Sequence, residues 1–202
     1  MKRLIVGLLA LAGSLPAGHA EAQSRGNAAI APYAGYMIFG DILEGPLGTS
    51  LSNANGAIVG AQLAFSLAGP VWIYANGGFA RSDLNVGLPI IGGIGIGSTD
   101  AWLFDGGLEL RVPVPGAITP VLQGGAGVTH YSIRNAIVET ESTSAMGVIG
   151  AGVDLAITPN LGLRLMARDH IGSFDFREAV FVDIRGRTAH NVGLTAGLRV
   201  SF

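Results

Sequence analysis

The sequence predicts an all-β fold, an eight-stranded antiparallel up-and-down transmembrane β-barrel preceded by a cleavable signal peptide. Three observations lead to this prediction. Residues 188–202 alternate between apolar and polar or small side chains and end on Phe202, as expected when one face of a strand meets lipid and the other a polar lumen. Mean hydropathy is +0.48, although prolines and glycines interrupt the longest uncharged stretch, 112–133, and weaken any spanning-helix reading. The strand-like segments are even in number, and their connections alternate in length.

The N-terminal residues have the features of a secretory signal. Lys2 and Arg3 precede an apolar run at 4–15, which is too short to cross a bilayer, and small residues follow with candidate cleavage positions after Ala20 and Ala22. We therefore divide the chain into a signal peptide, 1–22, and an outer-membrane β-barrel domain, 23–202. The chain contains no cysteine, which excludes disulfides and thiolate metal sites.

Strands are predicted at 29–40, 56–67, 71–82, 100–112, 119–132, 143–157, 161–173 and 188–202. Short turns at 68–70, 113–118 and 158–160 alternate with long loops at 41–55, 83–99, 133–142 and 174–187. Bacterial barrels have short periplasmic turns and longer outer loops. A soluble sandwich has no reason to sort its connections in this way.

The register of the three short hairpins is a separate check on this assignment. Residues at equal distances from a turn centre face one another on the same side of the sheet. Centring the turns on Gly69, Gly116 and Pro159 pairs polar residues in every case: Gln62 with Asn76, Glu109 with Gln123, and Asp154 with Arg164. The same parity predicts that these side chains face the lumen and that the leucines between them face lipid.

The lumen of an eight-stranded barrel is narrow enough for its own side chains to fill. Buried charges are tolerated there only when they are paired and hydrogen-bonded. We therefore predict a structural polar network that plugs the barrel, and the alternative is a gated narrow pore. The predicted network comprises Gln62, Asn76, Asp105, Glu109, Arg111, Gln123, Asp154, Arg164, Arg168 and Arg199.

Two segments are ambiguous in the sequence. Trp72 and Tyr74 share the inward parity of Asn76, but their position near the membrane boundary favours an outer aromatic girdle, reached through a bulge at residues 76–78. The first strand is apolar on both parities, with Tyr33, Tyr36 and other apolar residues. Its facing is not predicted.

The opening Pro32-Tyr33-Ala34-Gly35-Tyr36, the glycine-containing strands and the closing segment 193–202 resemble the small eight-stranded outer-membrane barrels. That family includes OmpA-type transmembrane domains, OmpX-like proteins and proteins with an outer membrane protein beta-barrel domain. The resemblance implies a bacterial outer-membrane location, contact with outer-membrane lipids, and recognition of the terminal Phe202 as an assembly signal by the barrel-assembly machinery. It specifies architecture rather than activity.

No catalytic, cofactor or metal site is predicted. His130, His170 and His190 fall at the outer ends of strands but on different parities, so we interpret them as interfacial residues rather than a metal cluster. A lipid A-modifying enzyme, the least favoured alternative, would need Ser132, Ser142 or Ser173 to meet a histidine. No cofactor is expected.

The leading hypothesis is a non-enzymatic barrel with a structural or surface-interaction role, acting through its outer loops. The runner-up is a narrow channel or carrier for small or hydrophobic solutes, similar to OmpW-type barrels. Segment 84–99 is apolar and uncharged, as expected of a surface that contacts lipid, folds over the barrel mouth or binds a partner. Alternatively, it extends two strands as a long hairpin, which its alternating Ile-Gly pattern favours. A formal net charge of −2 does not suggest nucleic-acid binding.

Overall fold

The computed structural model describes residues 26–44, 50–53, 55–88, 92–135, 139–173 and 188–202. The predicted signal peptide lies outside these residues. The strands are β1 (Ala28–Ile38), β2 (Asp41–Glu44), β3 (Ser50–Asn53), β4 (Gly56–Ala68), β5 (Val71–Leu88), β6 (Gly92–Arg111), β7 (Ile118–Asn135), β8 (Glu139–Ala156), β9 (Leu161–Ser173) and β10 (Thr188–Ser201). Every predicted strand is present, and β2 and β3 are two short strands that the sequence did not indicate.

The sheet closes on itself into a barrel. β1 pairs antiparallel with both β4 and β10, and each remaining long strand pairs with its neighbours along the chain, from β4–β5 through β9–β10. β3 pairs with the outer part of β5, and β2 pairs with β3, so these two lie beside the barrel rather than within its ring. The predicted eight-stranded antiparallel barrel is therefore confirmed.

Three tight turns lie at one end of the barrel, which we call the turn end. Gly69 and Gly116, two of the three predicted turn centres, have φ values of 53° and 113°, a region that glycine enters without the steric cost met by other residues. In the third turn the Thr158 hydroxyl accepts a hydrogen bond of 3.0 Å from the Leu161 backbone N–H. Short turns of this kind face the periplasm in bacterial barrels.

The β5–β6 hairpin continues past the ring at the opposite end, which we call the loop end. Backbone pairing runs from Leu84 with Gly97 to Leu88 with Gly92, with one register shift between Leu84 and Asn85. This confirms that the apolar 84–99 segment extends two strands as a long hairpin.

Outward side chains form an apolar belt around the barrel. They include Phe65, Phe104, Leu108, Leu122, Ile149, Leu194 and Leu198, all at least 44% exposed in the isolated chain. An outward-facing apolar belt of this kind is the surface that contacts acyl chains in membrane barrels. No helix among the described residues is long and apolar enough to cross a membrane.

Strict alternation also decides the two ambiguous segments. Trp72 and Tyr74 are 3% and 2% exposed and point into the barrel, and β5 pairs regularly with both neighbours across residues 76–78. The expectation that these aromatics form an outer girdle is wrong, because no bulge changes their face. In β1, Ala29, Ala31 and Met37 are buried inside and Tyr36 is exposed outside.

The interior is crowded enough to require glycine at particular positions. A Cβ on Gly127 would collide with the Phe104 carbonyl oxygen, while one on Gly124, on the same strand, would meet nothing within 4 Å. Gly127 has inward parity and Gly124 faces outward. The barrel wall is therefore tightly packed on its lumenal side.

Candidate functional site: the lumenal polar network

All ten residues of the predicted network lie inside the barrel, and none is more than 7% exposed. The hairpin registers are the predicted ones: Gln62 with Asn76, Glu109 with Gln123, and Asp154 with Arg164. A two-residue period and a tight turn determine which side chains of a hairpin share a face. The positions of these residues therefore follow from local sequence.

Glu109 is the centre of the network. Its carboxylate accepts hydrogen bonds from Gln62 Nε2 (2.8 Å), Gln123 Nε2 (2.7 Å) and Arg111 Nε (2.6 Å). Arg164 adds two more, from Nη1 (2.9 Å) and Nη2 (3.1 Å). Glu109 is fully buried, and two guanidinium groups and two amides replace the water that an ionised carboxylate would otherwise need.

Asp154 joins the network on the side of the turn end. Arg164 binds it through two parallel hydrogen bonds, from Nε to Oδ1 and from Nη2 to Oδ2, both 2.7 Å. Arg199 Nε lies 3.3 Å from Asp154 Oδ2, and Arg199 Nη1 donates to Ser201 Oγ at 2.6 Å. Arg164 thus bridges two carboxylates in the fork geometry that strengthens guanidinium–carboxylate pairs.

Arg168 organises the side of the network nearer the loop end. Its guanidinium donates to Gln123 Oε1 (2.9 Å), to Asn76 Oδ1 (3.1 Å) and, through a short bond, to Gln62 Oε1. Asn76 in turn donates to Asp105 Oδ2 at 2.7 Å. These amides connect Arg168 to Glu109 because Gln62 and Gln123 bond to both.

The connected side chains come from β4, β5, β6, β7, β8, β9 and β10. Some of their hydrogen bonds join neighbouring strands along the wall, as between Asp154 and Arg164, and others join strands that are not neighbours and cross the lumen, as between Arg164 and Glu109. Removing one member of such a network leaves a buried charge or polar group without a partner, which is costly in a low-dielectric interior.

An apolar cluster fills the lumen between this network and the loop end, and the sequence interpretation missed it. Its members are Met37, Phe39, Ile58, Ala80, Ala101, Leu103, Tyr131, Met146 and Val148, with Tyr33 packed against it. The two-residue alternation along β4 to β8 could have predicted that the cluster members on these strands face the lumen. Met37 and Phe39 could not be assigned because the predicted first strand, 29–40, is apolar on both faces.

The three histidines do not converge. His130 Nδ1 lies 2.8 Å from Thr143 Oγ1, and His190 Nδ1 lies 2.7 Å from Asp169 Oδ2, both on the outside of the barrel. His170 is inside, 3% exposed, with Nδ1 3.2 Å from the Asn191 carbonyl oxygen. Its interpretation as an interfacial residue is wrong because its parity turns it into the lumen.

Among the described residues, no group of three or more histidines and carboxylates could hold a metal ion. The histidine partners are also not serines: Thr143 holds His130, and Asp169 holds His190. Ser132 is on the outward parity of His130, and Ser142 is paired across from the buried Tyr131. The side chain of Ser173 lies outside the described part of the chain.

Phe202 is 66% exposed, and its backbone closes the ring at the turn end. Its N–H donates to the Ala28 carbonyl at 2.9 Å, and its own carbonyl accepts from the Ala28 N–H at 3.0 Å. The side chain points away from the lumen. Recognition of Phe202 by the assembly machinery stays a prediction.

A closed antiparallel ring, an apolar belt, a polar interior and short turns at one end define a small eight-stranded outer-membrane β-barrel. This architecture places the protein in the bacterial outer membrane, in contact with its lipids.

Solved structures share the fold. Neisserial surface protein A (NspA) has a TM-score of 0.62 and 15% sequence identity, covering 87% of this chain and 97% of NspA. The outer membrane protein OprG from Pseudomonas aeruginosa has a TM-score of 0.58 and 12% identity, covering 90% and 98%. The outer membrane protein AlkL, solved by solid-state NMR in DMPC bilayers, has a TM-score of 0.53 and 13% identity, covering 94% and 95%. No protein-family model and no curated protein matches this chain.

Proposed function

We propose that this protein is a non-enzymatic outer-membrane barrel with a closed lumen, and that it has a structural or surface-interaction role. The observation that carries the proposal is the bonding of Arg164 to Glu109 across the barrel interior and to Asp154 on the neighbouring strand. An ion crossing the lumen would have to separate buried charge pairs, and separation leaves each charge without a partner. The apolar cluster around Met37 adds a second barrier nearer the loop end.

The surface-interaction role is supported by the shape of the loop end. The β5–β6 hairpin continues beyond the ring as paired backbone to Leu88 and Gly92, and β3 adds a further strand along β5. With β2 paired to β3, the projection has four strands and offers a stable outer surface. NspA, a barrel of the same fold, carries the description of a surface protein.

Single-channel recording in planar bilayers tests the closed lumen. The purified barrel should give no regular openings, whereas Arg164→Ala should give openings or a raised leak because it removes the bridge between Glu109 and Asp154. The matched control is Arg81→Ala, since Arg81 lies on the outer surface and pairs with Asp100 at 2.7 Å. The control should stay silent.

Regular openings of the unmodified protein would overturn the closed-lumen proposal and favour the second candidate, a narrow channel or carrier. One observation favours that candidate: a cavity of about 290 Å³ opens into the barrel at the turn end, beside Arg111 and Arg199. In a channel this cavity would be the periplasmic vestibule.

Two cellular experiments test the remaining parts of the proposal. Cells that express the barrel should keep the same pattern of lipid A acyl chains as cells without it, and a changed pattern would support an enzyme.

A variant in which a tight turn joins Ser82 to Thr99 removes the projecting hairpin but keeps the ring. It should preserve resistance of the envelope to detergent and abolish surface attachment that the full chain confers.

A further inference from the structure

The cavity at the turn end has the composition of a ligand site. It is about 290 Å³ in volume, and its walls include the apolar side chains of Pro70, Trp72 and Pro113 and the side chains of two arginines, Arg111 and Arg199. Small-molecule sites are typically concave, mostly apolar and equipped with a few polar groups that orient the ligand. The cavity lies on the periplasmic side of the network, so a ligand reaches it without crossing the plug.

Arg111 is incompletely satisfied in this structure. Its Nε donates to Glu109 at 2.6 Å, and its guanidinium lies over the Trp72 ring, 3.5 Å from the centroid. Among the described residues, neither Nη1 nor Nη2 has a hydrogen-bond partner, although the side chain is only 7% exposed. Buried donors of a charged group are rarely left without acceptors.

The charges around the cavity are also unequal. Three guanidinium groups, those of Arg111, Arg164 and Arg199, face two carboxylates, Glu109 and Asp154. Asp154 contributes to the cavity wall, but Arg164 already binds both of its oxygens. Among the described residues one positive charge therefore remains uncompensated at the turn end, and a monoanion would balance it.

We infer that this cavity binds a small organic carboxylate. Arg111 lines the cavity, and its Nη1 and Nη2 are buried without a partner among the described residues. A rotation of the guanidinium toward the cavity would present both nitrogens to the two oxygens of a carboxylate, the geometry in which guanidinium binds carboxylate best. Arg199 supplies a second cation beside the same cavity. Trp72, Pro70 and Pro113 give the apolar body of the ligand a surface to contact, which an inorganic oxyanion would not use.

The first experiment uses the unmodified binding site with Trp72 as its reporter. The chain has two tryptophans, so Trp102→Phe leaves only Trp72. We expect benzoate to change the Trp72 fluorescence of the detergent-solubilised barrel saturably. Benzamide, a neutral analogue of the same shape, should bind at least about tenfold more weakly. Equal binding of the two probes, or no saturable benzoate signal, would overturn the inference, and so would saturable binding of inorganic phosphate without benzoate binding.

The second experiment removes each cation in the same Trp102→Phe protein. Arg111→Gln and Arg199→Gln should each weaken benzoate binding at least about tenfold, and Arg81→Gln, a matched change on the outer surface, should leave it unchanged.

Retained heat-modifiable migration on a denaturing gel identifies folded variants. If one variant does not fold, the other still tests the site, and a folded variant that keeps full benzoate affinity would contradict the assignment of its arginine. A barrel that is silent in bilayers can still bind benzoate, so the outcome is separate from the test of the closed lumen.

Discussion

Arg164 and Glu109 are joined across the lumen by two hydrogen bonds, 2.9 Å from Nη1 and 3.1 Å from Nη2, although 55 positions separate them along the chain. The same guanidinium holds Asp154 through two bonds of 2.7 Å. One side chain therefore ties β9 to both β6 and β8. The pairing of β1 with β4 and β10 closes the barrel, whereas Arg164 fills and ties together its lumen.

Replacing Arg164 should strongly destabilise the barrel. Arg164→Met leaves Asp154 and Glu109 buried with fewer partners, and the free energy of unfolding should fall by about 3–5 kcal/mol. Urea-induced unfolding in phospholipid vesicles measures this change. Arg81→Met is the control, because its side chain is 62% exposed and its pair with Asp100 should contribute only about 0–1 kcal/mol. A similar loss in both variants would contradict the structural role of the network.

Two glycines on β7 should respond in opposite ways to the same added methyl group. Gly127→Ala introduces a Cβ into the Phe104 carbonyl oxygen and should cost about 1–3 kcal/mol in unfolding free energy. Gly124→Ala meets no neighbour within 4 Å and should be neutral or slightly stabilising, because alanine restricts the unfolded chain. Unfolding in vesicles and the heat-modifiability of each variant provide the measurement. Equal stabilities would mean that the lumenal side is less crowded than the structure indicates.

Trp72 and Trp102 should differ in their access to lipid. Trp72 is 3% exposed inside the barrel, and Trp102 is 47% exposed on the apolar belt. In vesicles of brominated lipid, the Trp72→Phe protein should lose most of its fluorescence, since only Trp102 remains and bromine quenches on contact. The Trp102→Phe protein should keep its fluorescence. Strong quenching of Trp72 would restore the aromatic-girdle interpretation of β5.

The cost of a charge on the belt should depend on its depth. Leu194 lies within β10 and is 47% exposed, so Leu194→Arg should destabilise the barrel by about 2–4 kcal/mol. Ile157 lies at the turn end and is 60% exposed, and Ile157→Arg should cost about 0–1 kcal/mol because its guanidinium can reach the interface. Both are measured by unfolding in vesicles. Similar values would argue against the membrane position that the belt defines.

The hairpin pairs were predictable because two local rules determine them. Successive side chains in a strand alternate sides, and a short turn sets which residues lie opposite each other. Glu109 with Gln123 and Asp154 with Arg164 therefore followed from the positions of Gly116 and Pro159 alone. The same rules placed Trp72 inside, and the contrary expectation came from the usual location of tryptophan in membrane proteins.

Other features arise only when the strands close into a barrel, and they could not be predicted from residues that are near one another in the sequence. No rule of spacing relates Glu109 to Arg164, or Arg168 to Gln62, since these pairs come from strands that meet only across the lumen. The facing of β1 was equally open, because apolar residues on both parities satisfy lipid and a packed interior alike. Pairing with β4 and β10 decided that Met37 turns inward.

The sequence by itself determined the strands, their hairpin registers and the division between a lipid-facing and a lumen-facing side, because period-two alternation and turn geometry act over a few residues. Only the tertiary structure decided which lumenal groups bond to each other, which nitrogens of Arg111 have no partner in the described part of the chain, and where the cavity at the turn end lies. Those relationships arise when eight strands close into a ring, and the closure brings together residues whose separation along the chain carries no information about their distance in space.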